Sequence, residues 1–255
     1  YPPDQVKSHK NYLKDWSSVS VNEISREMVV EKYLYSSQRS LSQANKAMRH
    51  LSAVLNFCEV EDNPVVVLSQ RRIRQRLKPK ASRLRTNDIS NFYSGLSKVK
   101  NESSRIYIKF LLRTGLRASE ALSVTPTSFR DNSIFIPDTK NGSNHERPIT
   151  GWLSSTLLPY IKENSSFKAQ DIRRSLKTAC CHLDYTLTRH DLRRTFASLA
   201  VEAGNDYLLV KRALNHRIND ITSDYIQTSP ETLRPVFESV ASLIEAQLQA
   251  KFEKS

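Results

Sequence analysis

The chain has 255 residues, 38% of them hydrophobic and 25% charged, with only five glycines. That length suits two packed domains, and the scarcity of glycine argues against a Gly-rich nucleotide-binding fold and for helices. Lys and Arg number 39 against 26 Asp and Glu, a formal charge of +13 that points to a polyanion. No long apolar run or lipidation motif favours a membrane, so nucleic acid is the expected partner. Cys58, Cys180 and Cys181 are an odd count, two of them adjacent, and read as reduced thiols in a cytoplasmic, nucleoid-associated protein of a bacterium or virus-infected host. There is no signal peptide, and the opening Tyr1 is expected to mark a fragment with an upstream segment removed.

In chain order, Tyr12, Leu13 and Trp16 belong to a short first helix. Ser25 begins another, with Val30, Tyr33 and Leu34 as its apolar stripe. Met48, Leu51, Leu55 and Cys58 recur at three- and four-residue steps, which predicts an amphipathic helix, and a short one runs from about Pro64 into Arg71. Residues 1–77 are therefore expected to form a helical bundle. The run RRIRQRLKPKASRLR then contributes Arg71, Arg72, Arg74, Arg76, Lys78, Lys80, Arg83 and Arg85 without an acid. Such a run can be a solvated face, but between two folded segments it reads as a strap along a phosphate backbone, with residues 78–86 as the basic linker.

Residues 87–255 form the second domain. Helices are expected at about 87–99 and 102–114, the latter ending on Gly115, and another starts near Arg117. SIFIP and ERPIT flank Lys140-Asn141-Gly142-Ser143 as a β-hairpin. Helices follow at about 152–163, 169–181, 190–203 and 207–214, Asp206 capping the last of these. The final helix starts near Pro230, with Phe237, Val240, Ile244 and Leu248 on one face. The fold class is mainly α with one small antiparallel hairpin, in two domains that clamp a duplex.

His190 and Arg193 lie three apart and share a helix face, so both can aim at one small target. His216 adds a donor, and Tyr225 follows nine residues later (225 − 216). Donors gathered around a phenol suit a phosphate. Each residue has a plainer reading: Arg117 a surface arginine at a helix start, His216 a helix C-terminal histidine, Lys140 a solvated turn residue. Asp191 reads as a helix cap. Cys180-Cys181-His182 reads as packing, because adjacent side chains on a helix point apart.

Taken together, TGLRASEAL, a Lys in a hairpin, HDLRRTF, LNH and a following Tyr resemble the tyrosine recombinase (phage integrase) family, most like its phage and genomic-island branch. The resemblance covers about 86–228. It implies a site-specific recombinase that breaks and rejoins DNA through a covalent 3′-phosphotyrosine, integrating or excising a mobile element. Tyr225 would be the nucleophile, and Arg117 and Arg193 the clamp on the non-bridging oxygens. His190 would accept the phenol proton, Lys140 would protonate the leaving 5′ oxygen, and His216 would donate to the phosphate. Glu120 would orient the cations. One phosphoester replaces another, so no metal, ATP or other cofactor is implied.

The resemblance also implies that residues 1–77 are a core-binding domain. Double-stranded DNA attachment sites would be the substrate, a homo-tetramer the working assembly, and DNA-bending or directionality factors accessory partners. The apolar face of the helix at 236–253 is expected to dock on a neighbouring protomer, since a heterologous contact can close a ring. That branch often carries an upstream arm-binding domain, and the missing Met suggests one was cut away. One departure is that many members have Gly where this chain has Asn215, a residue that tolerates the left-handed conformation. Two other readings share these features. A type IB topoisomerase would use the same Arg-Lys-Tyr chemistry without a partner duplex, and a silent helical regulator would use the basic surfaces alone.

Overall fold

The computed structural model describes residues 9–77, 82–137, 139, 144–169, 171–216 and 229–252. The chain divides into two compact units, Tyr1–Lys80 and Ala81–Ser255. Among the described residues no helix is long and apolar enough to cross a membrane.

Unit 1 is built on one helix, α1 (Arg26–Phe57), whose N-cap Ser25 accepts a hydrogen bond from the Met28 amide at 3.2 Å. It comprises two helical stretches, one for each apolar pattern read from the sequence, joined at a kink where Ser40 leaves the helical region at φ −164° and ψ 108°. Val29, Tyr33, Ala44, Met48, Leu51 and Leu55 form its buried row. Leu34 is not on the core stripe: it sits about 100° around the helix from Tyr33 and is 47% exposed. Cys58, at the C-cap, is exposed as well. A 3₁₀ turn (Pro64–Val66) and the short α2 (Val67–Gln70) close the bundle, burying Val65, Val67 and Leu68.

Unit 2 begins earlier than the expected linker boundary at 86. Leu84 is fully buried, and its amide donates to Thr195 Oγ1 at 2.9 Å. Ser82 Oγ donates to Asp191 Oδ1 at 2.8 Å, and the Arg85 amide to the Tyr185 hydroxyl at 3.1 Å. Residues 82–85 are thus fastened to unit 2. The acids missing from the basic run come from elsewhere: Arg83 pairs with Glu202 at 2.7 Å, and Arg85 with Asp184 at 3.6 Å.

Helices α3 (Ile89–Ser97), α4 (Glu102–Thr114) and α5 (Ala118–Leu122) come next. Strands β1 (Ser133–Ile136) and β2 (His145–Pro148) pair antiparallel, with Ile134 opposite Arg147 and Ile136 opposite His145. After a π-turn (Leu153–Leu157) come α6 (Leu158–Asn164) and α7 (Arg173–Ala179), the latter shorter than the expected 169–181. Then follow α8 (Arg189–Glu202), α9 (Tyr207–Ala213) and α10 (Pro230–Phe252). Cys180 is buried and Cys181 exposed, as adjacent side chains pointing apart require.

Helix α4 is the axis of unit 2, packed along α8, and α3 crosses α7 so closely that a Cβ at Gly95 would meet the Ala179 carbonyl oxygen at 2.3 Å. Gly115 ends α4 at φ +60°, where a side chain would also run into Phe196. The last helix corrects an expectation. Leu233, Val236, Phe237, Val240 and Ile244 are buried in unit 2's own core, against α3, α8, α9 and β2. The apolar face expected to meet a neighbouring protomer is therefore covered within its own chain.

Candidate active site

Two helix starts and two loop ends build one cleft. Thr188 caps α8 reciprocally with Asp191: the Asp191 amide donates to Thr188 Oγ1 at 3.4 Å, and the Thr188 amide to Asp191 Oδ2 at 2.8 Å. Burial opposes the Asp191 charge, but these bonds and those from Ser82 and Arg194 prevail and hold its pKa down. The cap sets His190 and Arg193 in the first turns of a helix whose N-terminal end favours anions. Arg117 caps α5, and its amide donates to Glu120 Oε2 at 3.0 Å. Arg117, His190 and Arg193 line a single cleft of about 350 Å³, together with Thr188, Arg189, Leu116 and Ala118.

Backbone carbonyls orient much of the cationic cluster. Arg193, 4% exposed, donates through Nη1 to the Gly115 carbonyl at 2.7 Å and through Nη2 to the Leu214 carbonyl. Arg117 donates through Nη1 to Glu120 Oε1 at 2.7 Å, and its Nη2 approaches the Asn215 carbonyl at 3.5 Å. Carbonyl dipoles fix a guanidinium without cancelling its charge, so the cleft keeps a net positive field. Glu120, itself 5% exposed, is the carboxylate that the described hydrogen bonds set against Arg117.

The titrations follow from this crowding. Burial, then Arg117, lowers the Arg193 pKa to about 10 against the opposing pull of Glu120. Burial lowers His190, helped by Arg194 and Arg193, and lowers His216, helped by Arg193 and Arg117. Both imidazoles are thereby biased toward their neutral forms at neutral pH. His216 follows Asn215, whose φ of +49° is the left-handed conformation expected there. Asn215 Nδ2 also donates to Thr139 Oγ1 at 2.9 Å, a link that Gly could not make.

Lys140 and Tyr225 lie outside the described residues, as do Lys78 and Lys80. Sequence reasoning overlooked two others, His145 and Arg147, which are 8% and 1% exposed. In β2 only Glu146 turns outward, toward Arg130 at 3.7 Å. The period of two was the available signal, since it puts His145 and Arg147 on the face opposite Glu146. Burial, then Arg147, pushes the His145 pKa down to about 2.

Unit 1 has a basic cleft of its own, about 790 Å³, lined by Arg49, Arg72, Arg74 and Arg76 beside Asn45 and Gln75. Arg49 lies outside the basic run and was not foreseen. Gln75 donates from its amide to the Tyr33 hydroxyl at 2.9 Å, and its carbonyl accepts from Asn45 Nδ2 at 3.0 Å. Arg74 Nε donates to Asn45 Oδ1 at 3.2 Å, and Arg71 lies 3.7 Å from Glu27.

The phage integrase family model matches residues 82–232, well over half the chain. The chain belongs to the phage integrase family. Among curated relatives, Tyrosine recombinase XerA of Saccharolobus solfataricus is 31% identical over 147 residues, 54% of this chain and 50% of that protein. This integrase-family chain spans about half the length of the curated relatives it matches. Its fold resembles that of lambda integrase solved as a dimer bound to a COC′ core site: TM-score 0.70, 15% identity, covering 87% of this chain and 70% of that one. A lambda integrase tetramer bound to a Holliday junction matches at TM-score 0.65 and 14% identity, covering 88% and 70%.

Proposed function

We propose that this phage integrase family chain is a site-specific DNA recombinase whose unit 2 cleft performs strand transfer on a phosphodiester. The observation that carries the reading is the convergence of Arg117, His190 and Arg193 on one cleft, with Arg193 held by two backbone carbonyls and Arg117 by Glu120. A phosphodiester's negative charge repels nucleophiles. Two planar guanidiniums remove that protection and stabilise the added charge of a pentacoordinate transition state.

Tyr225 attacks phosphorus, a phosphotyrosine forms, and the bond to the 5′ oxygen breaks. His190 accepts the phenol proton, and Lys140 delivers a proton to the leaving 5′ oxygen. His216 donates a hydrogen bond to the phosphate. The roles of Tyr225 and Lys140 rest on the sequence pattern. A free phenol with pKa about 10 is roughly one part in a thousand ionised at neutral pH, so the neutral His190 and the positive field are both needed. One phosphoester is exchanged for another, and the reverse reaction rejoins the strands without ATP or metal.

The basic cleft of unit 1 and Arg71 track the phosphate backbone, as do Lys78 and Lys80, and a homo-tetramer on two duplexes is the working assembly. Arg83 and Arg85 belong to the same strap, with Glu202 and Asp184 as their described acidic neighbours. Incubating wild type and Arg117→Ala with supercoiled plasmid and quenching in detergent tests the cleft. The expected result is a covalent protein–DNA adduct for wild type and a rate about 10²–10³ lower for the variant. Equal rates would remove Arg117 from the mechanism.

A further inference from the structure

The inner face of β2 carries two basic side chains where a strand over a core ordinarily carries apolar ones. Arg147 is fully buried, and one of its terminal nitrogens, Nη1, donates to the Thr114 carbonyl. Its Nε and Nη2 have no hydrogen-bond partner among the described residues, and its guanidinium lies 5.4 Å from the centre of the Phe237 ring. Burial, then Arg193, lowers its pKa to about 9, with Glu120 opposing, so it remains a cation at neutral pH. A buried charge without a carboxylate hydrogen bond is strongly unfavourable unless something else requires it.

The location suggests what that is. Thr114 and Gly115 offer successive carbonyls at the C-terminal turn of α4, and Arg147 holds the first while Arg193 holds the second. The same turn leads within two residues to Arg117. We propose that Arg147 is a positioning residue for the strand-transfer cleft, fixing the α4 turn that leads into Arg117 and holds Arg193 by its carbonyl, and backing both with a third positive charge. This rests on the strand-transfer reading. Arg147 is too deeply buried to touch DNA, so its loss affects the reaction rather than duplex binding. An apolar side chain of similar length removes an unfavourable buried charge, so stability is largely kept.

The test uses the full chain as wild type, Arg147→Met and Arg147→Lys. It measures adduct rate on supercoiled plasmid, plasmid affinity, thermal midpoint, and affinity for orthovanadate, a probe that mimics pentacoordinate phosphorus. Arg147→Met is expected to slow adduct formation on the order of 10²-fold and to weaken orthovanadate binding about tenfold, with plasmid affinity within about twofold. Lys keeps the charge but not the fork and should regain about tenfold of the lost rate. A folded Arg147→Met with wild-type adduct rate and orthovanadate affinity overturns the proposal. If Arg147→Met does not fold, Arg147→Lys decides: a slowed rate with a wild-type midpoint supports it, and a wild-type rate overturns it. If wild type forms no adduct, the strand-transfer reading fails, and the orthovanadate comparison alone decides Arg147.

Discussion

At the scale of single residues, the cleft works by collecting more positive charge than the one carboxylate set against Arg117, Glu120, offsets. Burial depresses His190, so the neutral imidazole that can accept a proton persists below its usual pKa of about 6.5. Adduct formation is therefore expected to stay flat as pH falls to about 6.5 and to decline only below it; a decline already under way above pH 7 would contradict His190 as the base. His145 makes stability depend on pH in the same direction. Its folded pKa is far below the unfolded value, so only the unfolded chain gains a proton as pH drops below about 6.5. Stability should then fall by up to about 1.4 kcal/mol per pH unit, a slope that His145→Asn removes. Urea midpoints at about pH 7 and about pH 5 would check it. His190 and Arg193 could be placed together because three-residue spacing follows helix geometry, whereas Arg117 was singled out only through the family resemblance. His145 and Arg147 were not legible, because their burial depends on what packs over the hairpin.

At the scale of elements, Gly115 sits where the fold and the cleft meet. Its positive φ ends α4, its missing side chain admits Phe196, and its carbonyl holds Arg193. Gly115→Ala should lower stability by about 2 kcal/mol or more in urea melts and slow adduct formation as well. An unchanged melt would mean the turn is not strained by a Cβ. The C-terminal helix makes the opposite lesson. Its apolar face was plain in the sequence, but periodicity cannot say what covers a face, and Phe237, Val240 and Ile244 prove to be core. Deleting residues from about 236 should therefore unfold unit 2 by circular dichroism rather than merely impair assembly. Two helix starts were legible from their caps, Ser25 and Asp206. The two apolar patterns read from the sequence correspond to the two helical stretches of α1 on either side of the Ser40 kink, where the Gln43 amide donates to Ser40 Oγ.

At the scale of the molecule, two basic surfaces contribute to the charge of +13, the cleft of unit 1 and the site of unit 2. If phosphate contacts dominate binding, plasmid affinity should fall steeply with salt, by about 10³ or more between about 50 and 200 mM. A flat response would point to another partner. The basic run showed in composition alone where the chain changes character, and the two units divide within it at Lys80, with Leu84 buried in unit 2. The most direct test of the cleft as a strand-transfer centre is mass spectrometry of the detergent-trapped adduct after nuclease and protease digestion. The expected result is a nucleotide joined through its 3′ phosphate to the peptide containing Tyr225, absent from Tyr225→Phe. A nucleotide on any other residue, or an adduct that survives in that variant, would contradict it.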